Sequence, residues 1–582
     1  MRSDWATPLN PFTLLYLIFT LTAFIVSPLP ERSLPYLIQA GSGVLGFLVV
    51  YVWLDRPSRL RWLLQAMVLG AGALSLAGFF LVEWPSQYLF DLRLALIHLP
   101  HLPLPFSIHP NAIAGALLPP ICLAWGVWRF RLSRWQRAWL IVAVALMSLM
   151  LLLTQSRNAW LALLAAWGAY QVWGRFRFVY FAIGLGVLIA LPFAVNLLPA
   201  AGLSHLERGV AFVDNASKSG ESDEPSWLSR LEIWRVAGQT LADYPVVGAG
   251  LYAFEPVSRA NYVYAVVSPQ LNFTHAHNLF WQTAVNLGVM GLLTAVGLWG
   301  ATLWGLWQRQ PQLALDGVDW TAVEWTAVDW TAVVGAAFIS SLWFNLFDLI
   351  AWEMKAGVII WLLLAVAMRL SPAQKAHKAS GLAGVVLAAW LILLLSPPGQ
   401  GNWRRLQLDQ ARFTQTAAPP VSPTTFANDA RRLGLAYFLR QEVDAAVSAW
   451  QADAQSVTFL RQQGVMAFYE GEWETAVTWH HLALQLDKTD GLTHYWLGMA
   501  YEAQGNPTLA RHHYDLALAD LLGNGPTDVI AETWEGRGRV MAQSGQWEAA
   551  ADSFAQAVAL FPDNPDYAQQ LREVNLLLQG EE

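Results

Sequence analysis

Three places in the sequence set a residue capable of anion binding or proton transfer against an apolar background. Arg157 lies in LLLTQSRNAW, a guanidinium between two apolar runs with almost no connecting loop. A charge there is expensive, which marks a functional candidate; the plain alternative is an interfacial arginine that snorkels into water. Arg230, in SWLSRLEIWRVAG, begins an amphipathic helix in which Glu232 or Asp243 offers it an ordinary surface ion pair. In THAHN, His277 and Asn278 stand at the mouth of an apolar helix, LFWQTAVNLGVMG, with His275 just before them. Histidine accepts a proton near neutral pH. The dipole at a helix N-terminus disfavours its cationic form, which suits a base better than a fixed cation. The plain alternative is an interfacial histidine bonded to a neighbouring carbonyl, and either histidine of the pair could be the active one. No His, Cys, Asp and Glu set has metal-ligand spacing, no glycine-rich phosphate loop follows a strand, and no Ser–His–Asp order stands out.

The elements that must position these residues are membrane helices. The chain is 55% hydrophobic and 13% charged, where a soluble protein carries roughly 25% charged residues. Residues 1–399 carry a net charge of +4 and residues 400–582 one of −11, together the −7 of the whole chain. This divides a membrane half from an acidic soluble half. The single Cys122 excludes a disulfide framework, a thiolate zinc site and an iron–sulfur cluster. The N-terminal apolar stretch lacks a small-residue cleavage site and reads as a retained span. Apolar runs of the length a bilayer needs fall near 11–28, 34–54, 62–83, 112–130, 137–154, 158–173, 178–198, 279–306, 331–350, 355–369 and 381–397. That predicts about eleven spans. Arg56, Arg59, Arg61, Arg129, Arg131, Arg134, Arg137, Arg175, Arg177, Arg309, Arg369, Lys375 and Lys378 all fall in alternate loops. By the positive-inside rule those loops are cytoplasmic, so the N-terminus is inside and residues 400–582 are outside. The three candidate groups then lie at the outer face.

Two outward connections are long. Residues 84–111 are rich in Pro, Leu and His and suggest a partly embedded loop, and residues 199–277 form a large outer loop with the polar stretch DNASKSGESDEPS. Long loops of membrane enzymes commonly carry function. On the inner side DWTAVEWTAVDWTAV, at 319–333, repeats a pentad three times and reads as a duplicated, neutral helix start.

The THAHN block resembles the O-antigen ligase and polymerase family (Wzy_C-like), multi-span bacterial enzymes that act on undecaprenyl-pyrophosphate-linked glycans. The family's hallmark is His, then Asn, Ser or Gln, nine residues, Gly, two residues, and Gly, Thr or Tyr; His277, Asn278, Gly288 and Gly291 fit it without a gap. TQSRNAW is similar to the family's arginine at the head of a span. SRLEIWRVAGQTLADYPVVGAGLYAF is similar to its arginine-bearing loop helix with a Pro-Gly-Gly segment, and HPNAIAG, which contains Asn111, to its asparagine segment before a span. The resemblance covers roughly residues 10–400 and is strongest at 150–300. It implies an all-α, polytopic, GT-C-like transmembrane bundle in the bacterial inner membrane. It implies a metal-independent, inverting glycosyltransferase that needs no cofactor and moves an oligosaccharide from an undecaprenyl-pyrophosphate carrier to an acceptor hydroxyl at the extracytoplasmic face. Arg157 and Arg230 would hold the pyrophosphate and His277 would act as base, with Asn278, His275, Asn111, Gly288 and Gly291 in support, the two glycines letting their span pack closely against a neighbour. Forked guanidiniums suit a pyrophosphate leaving group. Lipid, glycan and protein acceptors all fit, so ligase, polymerase and protein O-oligosaccharyltransferase stay open. The non-enzyme alternatives are a lipid-linked glycan transporter, which would place charges in mid-span, and a membrane-anchored repeat scaffold. No nucleic-acid partner is expected. Ligases of this kind have twelve spans and no repeat domain, so acceptor identity does not carry over.

Residues 427–565 of the soluble half resemble tetratricopeptide repeats, an α-solenoid fold. Ala476, Ala510 and Ala550 head second helices, Ala483, Ala517 and Ala557 follow in the same helices, and Gly471, Gly505 and Gly545 mark the turns. The first step has the 34-residue period of that repeat, and the GNGPTD insertion lengthens the second. A weaker copy surrounds Ala446, and Pro562 closes the last unit. Such solenoids bind through a concave face, so a peptide or glycan is expected there, with a protein partner on the repeats as one form of it. The predicted layout is a membrane domain at 1–399 with its outer catalytic loop at 199–277, a linker at 400–426, whose TQTAAPPVSPT stretch suggests a flexible tether, and repeats at 427–582.

Overall fold

The computed structural model describes residues 7, 9–82, 84, 108–173, 183, 227–264, 273–307, 329–348, 357–370, 376–416, 418, 426 and 429–580. The expected span at 178–198, residues 85–107 of the first long loop, residues 199–226 and 265–272 of the second, the first two pentads and most of the proline-rich tether lie outside them. Among the described residues the regular elements are α-helices, with one isolated parallel bridge between Val82 and Ile108. They fall into two compact units, Met1–Ser258 with Phe273–Phe413, and Arg259–Asn272 with Thr414–Glu582.

The first unit contains α1 (Asn10–Ile25), α2 (Pro30–Trp53), α3 (Pro57–Leu81), α4 (Pro110–Trp128), α5 (Arg134–Thr154), α6 (Arg157–Val172), α7 (Trp227–Asp243), the start of α8 (Phe254–Asn261), α9 (Leu279–Trp307), α10 (Trp330–Phe347), α11 (Gly357–Leu370), α12 (Ala376–Leu395) and α13 (Pro397–Phe413). Pro30, Pro57, Pro110 and Pro397 each open a helix, where a missing N–H costs nothing and the fixed φ is already helical. Ser133 and Gln136 close a reciprocal capping box on α5. α5 stops at Gln155, whose φ of 49° turns the chain, and α6 begins two residues later at Arg157. One apolar core runs through the unit, including Phe12, Phe47, Leu64, Leu117, Met147, Leu303 and Phe338. Large apolar side chains also point outward, among them Leu45, Leu76, Trp139, Leu152, Leu164 and Ile392. An apolar core with an apolar outer surface is the arrangement of a bundle solvated by lipid. By length and composition α2, α3, α4, α5, α9 and α10 can cross a bilayer. α12 and α13, bent by 67° at their junction, would add a seventh as one broken span, while α1 and α11 are shorter apolar helices. The described helices therefore make this a multi-pass membrane protein without establishing the eleven spans expected. The residues expected as a linker begin inside this unit, since α13 runs on to Phe413.

α9 is not one regular helix. Gly288 interrupts it at φ 74° and ψ −173°. The segment Pro245–Gly250 docks into the break: Val289 N–H donates to the Pro245 carbonyl at 2.8 Å and Ala249 N–H to the Val285 carbonyl at 2.8 Å. A Cβ on Gly288 would stand 2.6 Å from the Pro245 and Val246 oxygens. The break also folds the helix onto itself, so that a Cβ on Gly291 would meet Leu287 of its own helix at 2.2 Å. The glycine pair thus admits a loop backbone, where close packing against another span was the expectation. Asn402 of α13 holds the same segment, its Oδ1 accepting from Val246 and Val247 N–H at 3.0 and 3.1 Å.

The second unit contains α14 (Ala430–Leu439), α15 (Val443–Trp450), α16 (Ser456–Tyr469), α17 (Trp473–Leu486), α18 (Gly491–Ala503), α19 (Pro507–Asn524), α20 (Thr527–Gln543), α21 (Trp547–Leu560) and α22 (Pro565–Gly580). Gly471, Gly505 and Gly545 take φ of 80°, 73° and 71° between paired helices, and Gln441 takes 64° in the weaker first copy. The repeat alanines Ala446, Ala476, Ala483, Ala510, Ala517, Ala550 and Ala557 are wholly buried. In each pair a glycine of the first helix receives a ring of the second: Gly434 faces Trp450, Gly464 faces His480, Gly498 faces Tyr514 and Gly538 faces Phe554. These are four tetratricopeptide-type helix pairs.

Candidate functional site

The site is built on the last turn of α10. Asn278 sits at the start of α9, where its Oδ1 accepts from Phe280 and Trp281 N–H, both at 2.9 Å, and its Nδ2 donates to the Leu346 carbonyl at 2.7 Å. One carboxamide therefore caps α9 and fastens it to the end of α10, so Asn278 positions its neighbour through backbone bonds. Asn158, the residue after Arg157, makes an equivalent link: its Nδ2 donates to the Phe344 carbonyl at 2.9 Å. Arg157 and His277 thus each adjoin an asparagine bonded to the same helix terminus. Two residues past Leu346 stands Asp348.

His277 has φ 47°, a conformation that costs a non-glycine residue roughly 1–3 kcal/mol and persists only where its surroundings impose it. They do so here. Ala276 N–H donates to Gln282 Oε1 at 2.7 Å, and Trp234 Nε1 of α7 donates to the Ala276 carbonyl at 2.9 Å. His277 N–H donates to His275 Nδ1 at 3.1 Å. The His277 ring lies 4.2 Å from that of His275, and its Nδ1 is 3.8 Å from an Asp348 oxygen.

The two histidines differ in consequence. His275 spends the Nδ1 lone pair on a backbone N–H, and burial, helped by the charges of His277, Arg230 and His109, pushes its pKa down to about 3 against the opposing pull of Asp348. It is a neutral imidazole at any physiological pH. Burial alone would raise Asp348, but the His277 ring beside it and the charges of His277, Arg230 and His275 outweigh that and hold it below the ordinary carboxylate range. Asp348 is therefore an anion facing one nitrogen of His277.

Arg230, on the first turn of α7, contributes to both shifts and so belongs to the same electrostatic group. Its two expected partners are engaged elsewhere, Glu232 with Arg235 at 3.2 Å and Asp243 with Arg405 at 3.5 Å. Its Nε is buried without a hydrogen bond among the described residues. Arg157 is exposed at the first position of α6. Asn111 gives its backbone N–H to His109 Nδ1 at 3.2 Å, which caps α4. The N-termini of α6 and α9 abut the last turn of α10, whose Phe344 and Leu346 carbonyls accept from Asn158 and Asn278, and Trp234 in the middle of α7 ties that helix to the Ala276 carbonyl.

Of the residues singled out from sequence, the structure assembles His275, His277, Asn278 and Arg230, places Arg157 beside the same α10 terminus, and puts Gly288 and Gly291 at the break of α9. Asp348, Trp234, Gln282 and His109 were not foreseen. For Asp348 a signal existed, a lone carboxylate at the end of an apolar run. His275, His277 and Asp348 also offer one ligand atom each within 4.8 Å of one another, a set that could hold a divalent cation although the sequence spacing pointed to none. The adjacent Arg230 charge opposes such binding.

The O-antigen ligase family's sequence model matches residues 142–296, which span Arg157, Arg230, His277 and both glycines, and a tetratricopeptide repeat model matches residues 489–563. A search of the curated proteins finds no match. The chain carries an O-antigen ligase family region followed by tetratricopeptide repeats, the family its sequence resembles, and with it a membrane glycosyltransferase-like function.

Proposed function

We propose that this protein transfers an oligosaccharide from an undecaprenyl-pyrophosphate carrier to an acceptor hydroxyl at the extracytoplasmic face of the bacterial inner membrane, with inversion and without a metal. His277 takes the hydroxyl proton on the nitrogen turned away from Asp348. The acceptor oxygen forms its bond to the anomeric carbon from the face opposite the leaving group. The bond between that carbon and the pyrophosphate oxygen breaks, and its electron pair leaves on undecaprenyl pyrophosphate. Arg230 and Arg157 balance that charge through forked guanidiniums. His275 holds the turn through the His277 N–H, and Asn278 sets the distance to α10. Asp348 keeps the imidazole oriented and stabilises its protonated form. The alternation of Arg and Lys among loops supports the outer face. The observation that carries the reading is the pairing of His277 with the Asp348 carboxylate beside Arg230, whose candidate counter-ions are engaged elsewhere.

Arginine-to-lysine substitution tests it on purified protein supplied with undecaprenyl-pyrophosphate oligosaccharide. Arg157→Lys and Arg230→Lys keep the charge and lose the fork, and turnover is expected to fall in both. Normal turnover in the lysine and alanine variants alike would remove the arginines from the site.

A further inference from the structure

Residues 110–154, which form α4, its corner and α5, contain four arginines and no acidic residue. The corner joins two helices that can each cross a bilayer, so it lies at a membrane face. Trp125, Trp128 and Arg129 share one side of the end of α4. Arg134, Trp135 and Arg137 open α5, and Trp139 follows one turn after Trp135. The four tryptophans are exposed, Trp135 most of all at 73%. Arg129 lies over the Trp125 ring at 5.1 Å and Arg137 over the Trp128 ring at 5.5 Å. Stacking uses the flat face of a guanidinium and leaves its in-plane N–H groups free to donate. Arg129, Arg134 and Arg137 are exposed and make no ion pair among the described residues. For Arg134 and Arg137, in the first turn of α5, the helix dipole adds to the repulsion. The α2–α3 corner, tied to this one by the Arg61 guanidinium on the Arg131 carbonyl at 2.5 Å, carries its own counter-ion: Asp55 sits 2.7 Å from Arg59 and 3.9 Å from Arg56.

We infer that the α4–α5 corner binds the phosphate headgroup of an anionic phospholipid, with Arg129, Arg134 and Arg137 around the phosphate and Trp135 and Trp139 set into the bilayer interface beside it. Charge complementarity selects the occupant. Three cations within nine residues, with no carboxylate near them in the chain, call for an anion from outside the protein. Exposed indoles settle at headgroup level, which places the guanidiniums beside them at the depth of lipid phosphates, and a guanidinium fork takes two phosphate oxygens at once. A zwitterionic lipid offers the same phosphate but brings a cation against the cluster, so a lipid with net negative charge is preferred. Orienting a hairpin in the membrane requires positive charge alone; guanidiniums laid on tryptophans with their donors turned out add a site for a particular headgroup. The site is independent of the transfer reaction.

Native mass spectrometry of the purified full chain in detergent, with phosphatidylglycerol or phosphatidylcholine added, tests the site through the affinity of the first lipid bound. Unmodified protein is expected to hold phosphatidylglycerol more tightly than phosphatidylcholine. At an anionic lipid surface each arginine is worth about five-fold in affinity, so Arg129→Gln, Arg134→Gln and Arg137→Gln together should weaken phosphatidylglycerol binding about a hundred-fold. Arg59→Gln, which removes a charge that Asp55 already compensates, should leave it unchanged. Unmodified affinity in the triple variant, equal affinity of the unmodified protein for the two lipids, or a loss in Arg59→Gln as large as in the triple variant would each overturn the site. Those three charges also help orient the hairpin. Should the glutamine variant fail to insert, lysine at the same three positions keeps the charge and loses the fork: weaker phosphatidylglycerol binding then upholds the site, and unmodified binding overturns it.

Discussion

Asp348→Asn removes one charge and keeps the side chain's shape, so it isolates what the carboxylate does for His277. At the 3.8 Å separation of the two groups, an effective dielectric of ~20 gives a Coulomb ceiling of about 4 kcal/mol for a fully formed imidazolium. Part of that is lost to reorganisation, which leaves about 1.5–3 kcal/mol, the lower part of the range for close charge pairs. At 1.4 kcal/mol per factor of ten, the variant should lose about ten- to a hundred-fold in kcat. The same interaction fixes the direction of the pH effect. Asp348 stays ionised through the neutral range because His277, Arg230 and His275 hold its pKa down against burial. The carboxylate favours protonated His277, so removing it makes that protonation harder, and the acid limb of the rate profile moves to lower pH as the plateau drops. Initial rates on purified protein across the neutral range measure both. A variant that turns over at the unmodified rate with its acid limb in place would refute the pairing of Asp348 and His277.

Gly288→Ala places a Cβ 2.6 Å from two carbonyl oxygens at φ 74° and ψ −173°; that backbone region, open essentially to glycine alone, costs roughly 1–3 kcal/mol, and a total of about 3 kcal/mol should appear as a lower thermal unfolding midpoint. Gly300→Ala, on the same helix with open space around it, should stabilise by about 0.5–1 kcal/mol, and equal effects at both glycines would contradict the account of the break. Protein freed of metal by a chelator should keep its activity, and added zinc should inhibit by occupying His275, His277 and Asp348; activity that a chelator abolishes and a divalent cation restores would reverse the metal-independent reading. Asn278→Ala should lose the cap and the link to Leu346 together, costing about 1–2 kcal/mol of stability and lowering kcat, whereas Asn278→Ser should recover the cap alone, as a paired unfolding and rate measurement can show.

What the sequence revealed of the site follows from how local each signal is. His277, Asn278 and the two glycines lie on one short stretch with a fixed spacing, so the family motif exposes them together. Asp348 belongs to the same few ångströms but arrives from another helix, and no spacing rule joins it to His277. The expense of a carboxylate at the end of NLFDLIAW, the same argument that singled out Arg157, would have nominated it. Gly288 was legible as a position needing glycine; that it admits Pro245–Gly250 and not a second span depends on a loop 40 residues upstream folding back. In the soluble half, the 34-residue period carried the fold because each pair repeats the same buried alanines. The insertion of the 259–264 segment among those helices depends on side chains of Gln462 and Arg432, bonded to Tyr262 and Tyr264, that have no periodicity to betray them. α13 resembled a linker because its polar residues, Asn402 and Asp409 among them, are spent on buried loop backbone and on the Tyr244 hydroxyl.

The central claim is that His277, not His275, is the base. His275→Ala removes a neutral ring whose role is to accept the His277 N–H, so its effect should be mild. His277→Ala removes a positioned base, worth typically ~10²–10⁴-fold, and should nearly abolish transfer while leaving protein level and carrier binding intact. Transfer rates of the two purified variants, measured side by side, decide it. Activity close to the unmodified rate in His277→Ala, with or without a loss in His275→Ala, would contradict the claim.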